Sequence, residues 1–94
     1  MKQKEDNEIS ARLEKYLNLT KKALGKAEKA KTKDKNADTV LDMAKRYYED
    51  AIYFKNKNML LIALCAVSYA HGWLDCGSKL GLFDVKDSKL FVVK

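Results

Sequence analysis

The sequence predicts an all-α fold, a three-helix bundle, and three observations carry that prediction. Ninety-four residues contain no proline and only four glycines, so the breakers that strand-rich folds use at their turns are scarce. Leu, Ala, Lys and Glu, all good helix formers, dominate residues 1–80. Apolar residues recur at helical steps in two long segments, and a third segment is apolar almost all round. A 47% share of hydrophobic residues supports one compact core, and the 34% charged share does not reach the composition of a disordered chain.

Residues 1–6 are polar and are expected to form a flexible N-terminus. The first helix is expected over 7–31, where Ile9, Leu13, Tyr16, Leu17, Thr20, Leu24 and Ala27 make one stripe. Lys15, Lys22, Lys26, Lys29 and Lys33 recur on the opposite side, and Gly25 weakens the helix by up to about 1 kcal/mol against Ala. The stretch KTKDKN at 31–36 reads as a linker. Asn36, Asp38 and Thr39 each suit an N-cap, which starts a second helix at 37–56. Its stripe is Val40, Ala44, Tyr47, Ala51 and Phe54, widened by Leu41, Tyr48 and Ile52, a breadth that implies two neighbours. Asp42, Arg46 and Asp50 form a surface charge ladder worth about 0.3 kcal/mol per pair.

The turn KNKN at 55–58 is short enough to force an antiparallel third helix, expected over 58–80 with Asn58 as its N-cap. This helix should be the most buried of the three. It holds the only Trp, the only His and both Cys. Gly72 at its middle points to a close helix crossing, with Ala63, Ala66 and Ala70 as a further small-residue surface. Gly81 reads as a C-terminal stop with positive φ. The expected domain is therefore 7–83, followed by a tail over 84–94 that carries Leu90, Phe91, Val92 and Val93. That tail either docks on the bundle or pairs with a partner.

Composition limits the function classes. Net charge is +6, but residues 1–35 hold eleven Lys/Arg against six Asp/Glu, while 36–94 hold eight against seven. The lysine face of the first helix is the best nucleic-acid signal, for Lys15, Lys22, Lys26, Lys29 and Lys33. No aromatic residue is interleaved on it, so base stacking is unsupported and any binding would be nonspecific and salt-dependent. Cys65 and Cys76 lie about 16 Å apart along one helix, beyond the roughly 7 Å a disulfide spans. Free thiols fit a reducing, cytoplasmic setting. The N-terminus lacks the apolar core of a signal peptide. The apolar run from Met59 is interrupted by Ser68, His71, Gly72 and Asp75, which reads as a buried helix and not a membrane span.

Candidate chemistry is thin. His71 is the one side chain with an ordinary pKa near neutrality, and Asp75 lies one turn on, but no nucleophile shares their side of the helix. His71 shares its face with Leu60, Leu64, Val67 and Leu74, so a hydrogen-bonded core histidine is the favoured reading. No metal and no cofactor are expected, because CxxC and HxxxH spacings and phosphate-binding glycine loops are absent. Aromatic residues are numerous; core packing accounts for most of them, with Tyr hydroxyls and the Trp73 indole N–H reaching the rim. Tyr53 is expected to be exposed.

The segments RYYEDAIYF (46–54) and SYAHGWLDCGSKLGLF (68–83) resemble the small archaeal proteins of the domain of unknown function family 357. The tyrosine pair before Asp50 and Ala51, then Ser-Tyr-Ala-x-Gly-Trp-Leu-Asp and Leu-Gly-Leu-Phe, carry that resemblance. It implies a three-helix bundle and an archaeal cytoplasmic protein, and it brings no activity and no catalytic residues. A looser likeness to helical ribonuclease domains of the HEPN type lacks their Arg-then-His motif, since AVSYA precedes His71.

Three functions follow in order. The first is a noncatalytic protein-interaction module that contacts a protein partner or a second copy. The second is an accessory nucleic-acid-binding protein using the lysine face. The third is a small-ligand or enzymatic site around Tyr47, Asp50, His71, Trp73 and Asp75. Tyr47, Asp50, Tyr53, His71, Trp73 and Asp75 are the candidate ligand or partner surface, no residue is assigned a catalytic role, and no membrane contact is expected.

Overall fold

A computed structural model describes residues 2–91, with side chains from Asn7 onward. Three helices make the bundle: α1 (Lys2–Lys29), α2 (Lys35–Asn56) and α3 (Leu60–Lys79). α3 packs against both of the others, while α1 and α2 touch only sparingly. The order is up-down-up, so α1 and α3 run in the same sense and α2 runs against them.

α1 begins five residues earlier than the apolar pattern suggested. Its stripe is buried at Leu13, Leu17, Thr20, Ala23, Leu24 and Ala27. The flexible stretch expected at 1–6 falls on residues whose side chains lie outside the description, as does Met1; the backbone is helical from Lys2. α2 starts two residues before the expected position because Asp34, not Asn36, Asp38 or Thr39, is the N-cap. Its carboxylate accepts from the Asn36 N–H at 2.8 Å, satisfying one of the donors that a helix start leaves unpaired.

Asn58 is not the cap of α3. It takes φ 58°, the left-handed conformation that asparagine tolerates better than most side chains, and this reverses the chain. Met59 precedes the helix with no side-chain capping bond. At the other end Gly81 has φ 76°. The Leu82 N–H reaches the Gly77 carbonyl at 2.9 Å and the Gly81 N–H reaches that of Ser78 at 3.0 Å, which together close a Schellman motif.

The close approach assigned to Gly72 occurs at Gly77. A Cβ at Gly77 would overlap the Phe83 ring and press on Val40, whereas nothing stands within 4 Å of one at Gly72. Phe83 lies there because the chain after α3 runs back beside the α1–α2 connection. The Thr32 N–H bonds the Leu82 carbonyl and the Asp84 N–H bonds that of Ala30, both at 2.9 Å, around a single antiparallel bridge between Lys31 and Phe83.

The tail docks on the bundle. Leu90 and Phe91 are buried with Leu24, Val40, Leu41, Leu74 and Phe83 in one core cluster, so the core reaches beyond the expected boundary at residue 83. Val92 and Val93 lie outside the described residues. A second cluster, Leu13, Leu17, Ala51, Ala63 and Val67, fills the opposite end.

Candidate functional site

α3 has two unlike sides. The inner side is lined by Ala63, Val67, Ala70, Leu74, Gly77 and Ser78, all buried. The outer side carries Leu61 (62% exposed), Ile62 (44%), Tyr69 (52%) and Leu80 (63%), with Cys65 and Cys76 exposed between them as free thiols. The third helix, expected to be the most buried of the three, buries one side and leaves the other in water. α1 and α2 cover only one side of it, and its only charged residues are Asp75 and Lys79. By length and composition α3 is also long and apolar enough to cross a membrane, with 28% of its apolar window buried.

The geometry of the outer side is specific. Ile62, Cys65, Tyr69, Gly72 and Cys76 advance by alternating steps of three and four, the 3.5-residue period that keeps a seam straight along a partner helix. Tyr69 has two aromatic neighbours. Its ring meets Tyr47 edge-on at 4.5 Å and Trp73 at 6.1 Å. Beside it, the missing side chain of Gly72 leaves a hollow of about 250 Å³ lined by Tyr69, Gly72, Trp73 and Cys76. The Trp73 Nε1 does not reach the rim as expected: it is buried and lacks a hydrogen-bond partner among the described residues.

The structure separates the sequence-predicted residues into groups. Tyr47 and Trp73 flank the outer seam. Asp50 stands on the outside of α2, bordering a hollow with Asp42, Arg46, Tyr47 and Glu49, where Arg46 bonds Asp42 at 2.8 Å. Tyr53 is exposed, with the Lys57 ammonium over its ring at 5.6 Å. His71 and Asp75 lie on the opposite side of α3, towards α1 and the tail.

His71 is half-buried, and both its ring nitrogens are engaged. Nε2 lies 2.7 Å from the Leu90 carbonyl oxygen and Nδ1 lies 3.0 Å from the Thr20 hydroxyl. A carbonyl only accepts, so Nε2 carries the hydrogen; in the neutral ring the Thr20 hydroxyl then donates to Nδ1. Thr20 is fully buried. Asp75 Oδ1 is 3.8 Å from Nε2, outside hydrogen-bond range. His71 thus clasps α1 and the C-terminal segment to α3.

The lysines divide too. Lys22, Lys26 and Lys29 line a hollow of about 520 Å³ with Lys21, Gly25, Lys89 and Asp87. Lys15 and Lys33 are exposed but do not line it. Lys26 donates to Asp87 at 2.7 Å. That bond, aided by the Lys89 N–H, holds the Asp87 carboxyl below its usual range. Lys45 likewise lowers Glu28, and Asp38 raises Lys31 across 2.7 Å. Among the described residues no group of three His, Cys, Asp or Glu is placed to hold a metal ion.

Sequence reasoning missed the surface formed by Leu61, Ile62 and Leu80, and it missed Lys21 and Lys89 in the basic hollow. The seam's alternating steps were present in the sequence and could have marked the former.

The model of the family described as "Protein of unknown function (DUF357)" matches residues 15–83, and the chain belongs to that family. No curated protein and no solved structure matches the chain.

Proposed function

We propose that this family member acts without catalysis, as an interaction module that binds through the outer side of α3. The observation that carries this reading is the row of exposed Leu61, Ile62, Tyr69 and Leu80 on a helix whose other side is packed. Apolar surface left in water costs about 25 cal/mol per Å², and folded monomers seldom keep a large patch of it. The one constellation that suggested chemistry, His71 with Asp75, is engaged in holding the fold through Thr20 and Leu90. Exposed free thiols at Cys65 and Cys76 support a reducing, cytoplasmic setting.

The test compares the full chain with a Leu61→Lys/Tyr69→Lys variant, using affinity capture from native lysate and sedimentation of purified protein. Association, with itself or another protein, should be lost in the variant and kept in a Tyr16→Ser control. Equal behaviour of all three proteins overturns the reading.

A second reading rests on the hollow where Lys21, Lys22, Lys26 and Lys29 meet Lys89, a basic channel suited to a phosphate backbone. Binding of labelled single-stranded RNA should then fall with a log–log salt slope of about −3 for four phosphate contacts. It should vanish in Lys22→Glu/Lys29→Glu. A flat salt response removes this reading.

A further inference from the structure

We infer that the occupant of the outer side of α3 is the same helix of a second copy, antiparallel across a twofold axis. The inference rests on the interaction-module reading and names its partner. Leu61, Cys65, Tyr69, Gly72, Cys76 and Leu80 follow one another at steps of 4, 4, 3, 4 and 4, a pattern that is unchanged when read backwards. A twofold interface must be complementary to itself. Turned end for end, the row places Leu61 against Leu80 of the partner subunit and Cys65 against Cys76 of the partner subunit. Tyr69 meets the hollow left by Gly72 of the partner subunit.

Size matching selects the antiparallel arrangement. A parallel pair would set ring against ring at Tyr69 and void against void at Gly72. The antiparallel pair sets each ring into a void, knob into hole, and opposes the helix dipoles favourably.

Area and charge agree with a second copy. The exposed parts of Leu61, Ile62, Tyr69 and Leu80, with the two exposed thiols, amount to on the order of 500 Å² per copy, so roughly 1,000 Å² across the pair, the lower end for a specific interface. The exposed row from Leu61 to Cys76 contains no ammonium or carboxylate, and the exposed Lys79 beside Leu80 falls at the end of the paired rows, near Ile62 of the partner subunit, where its long side chain can keep the ammonium in water. A membrane surface suits the row less well. Helices that lie on lipid flank their apolar side with Lys and Arg, whereas the neighbouring hollow beside Tyr47 holds Asp42, Glu49 and Asp50 against Arg46 alone.

The thiols provide the readout. Diamide treatment of the purified full chain should give a covalent dimer. Cys65→Ala and Cys76→Ala should each abolish it, because each variant loses one side of both thiol pairs. Mixing the two variants should restore it, since Cys76 of one meets Cys65 of the other. These exposed positions make the substitutions safe for folding. A dimer in which each single variant still cross-links and mixing adds nothing indicates parallel helices and overturns the inference.

Sedimentation and co-flotation with phosphatidylcholine vesicles complete the test. A monomer that floats with vesicles overturns the second copy in favour of lipid. A monomer that does neither, yet loses a captured protein on Leu61→Lys/Tyr69→Lys, overturns the second copy and leaves the interaction module standing. A monomer with no partner in any assay overturns both.

Discussion

The two sides of α3 have nearly opposite relations between polarity and burial. On the inner side a threonine of α1 is fully buried against a histidine, and a serine and a glycine are buried nearby. On the outer side two leucines, an isoleucine and a tyrosine stand in water. Hydropathy alone would have exchanged several of these places. The inner polar groups are tolerated because each nitrogen of His71 has a partner of the right kind; the outer apolar groups are exposed because no third neighbour is supplied by the chain itself. The difference teaches that, among the described residues, the fold covers only one side of its most apolar helix.

The strongest way to break this comparison is to shorten the same kind of side chain on each side. Leu74→Ala, inside the core cluster with Phe83 and Phe91, should cost about 2–5 kcal/mol. Leu61→Ala should stay within about 0.5 kcal/mol for the monomer. Urea unfolding at low protein concentration measures both, and equal losses would mean that the outer side is already covered.

Thr20→Val sharpens the polar half of the comparison. It keeps the shape but leaves the His71 Nδ1 without its donor, for a loss of about 1–3 kcal/mol. Hydrogen exchange at the Leu90 and Phe91 amides should accelerate alongside, because the same imidazole holds the Leu90 carbonyl. Unchanged exchange would show that the clasp does not secure the tail.

The glycines form a pair with opposite expected signs. Gly72→Ala meets open space and should raise monomer stability by up to about 1 kcal/mol, the helix-propensity difference. Gly77→Ala meets Phe83 and should lower it. Thermal unfolding of the two variants decides this.

The smallest effect is in acid. Asp87 has its pKa lowered by Lys26, so its contribution is present above the ordinary carboxylate pKa and is lost as pH falls through the lowered folded value. As the pair is open to solvent, the expected result is a slight loosening of the segment around Asp87 in acid, seen as faster exchange there before global unfolding. Acid loosening there in Asp87→Asn equal to that of the unsubstituted chain would remove the pair's role.

Much of the fold was legible in the sequence. The stripes of α1 and α2, the break before each helix, the positive φ of Gly81 and the exposure of Tyr53 all follow from local rules of periodicity and backbone conformation. What was not legible depends on contacts distant in the chain. Asn36, Asp38 and Thr39 each suit a cap by residue type, and only the path of the connection shows that Asp34 is the residue whose carboxylate faces the free N–H. Gly72 and Gly77 are both plausible contact glycines until Phe83 returns over the second. The candidate site failed to appear for the same reason. An apolar row reads as core in one dimension, and only the positions of α1 and α2 reveal which part of it has no neighbour. His71, Trp73 and Asp75 were grouped as polar and aromatic residues that could converge, yet the helix turns Trp73 away from the side that His71 and Asp75 share.

The docking of Leu90 and Phe91 beneath the His71 clasp also bears on the order of events during synthesis. The cluster that joins all three helices lacks two of its members until Leu90 and Phe91 have been made, and a chain emerging N-terminus first cannot close that end of the bundle on α1, α2 and α3 alone. The helical hairpin of α2 and α3 can form while the chain is still tethered, with the outer row already displayed. Completion of that end of the fold must then wait until Leu90 and Phe91 have emerged.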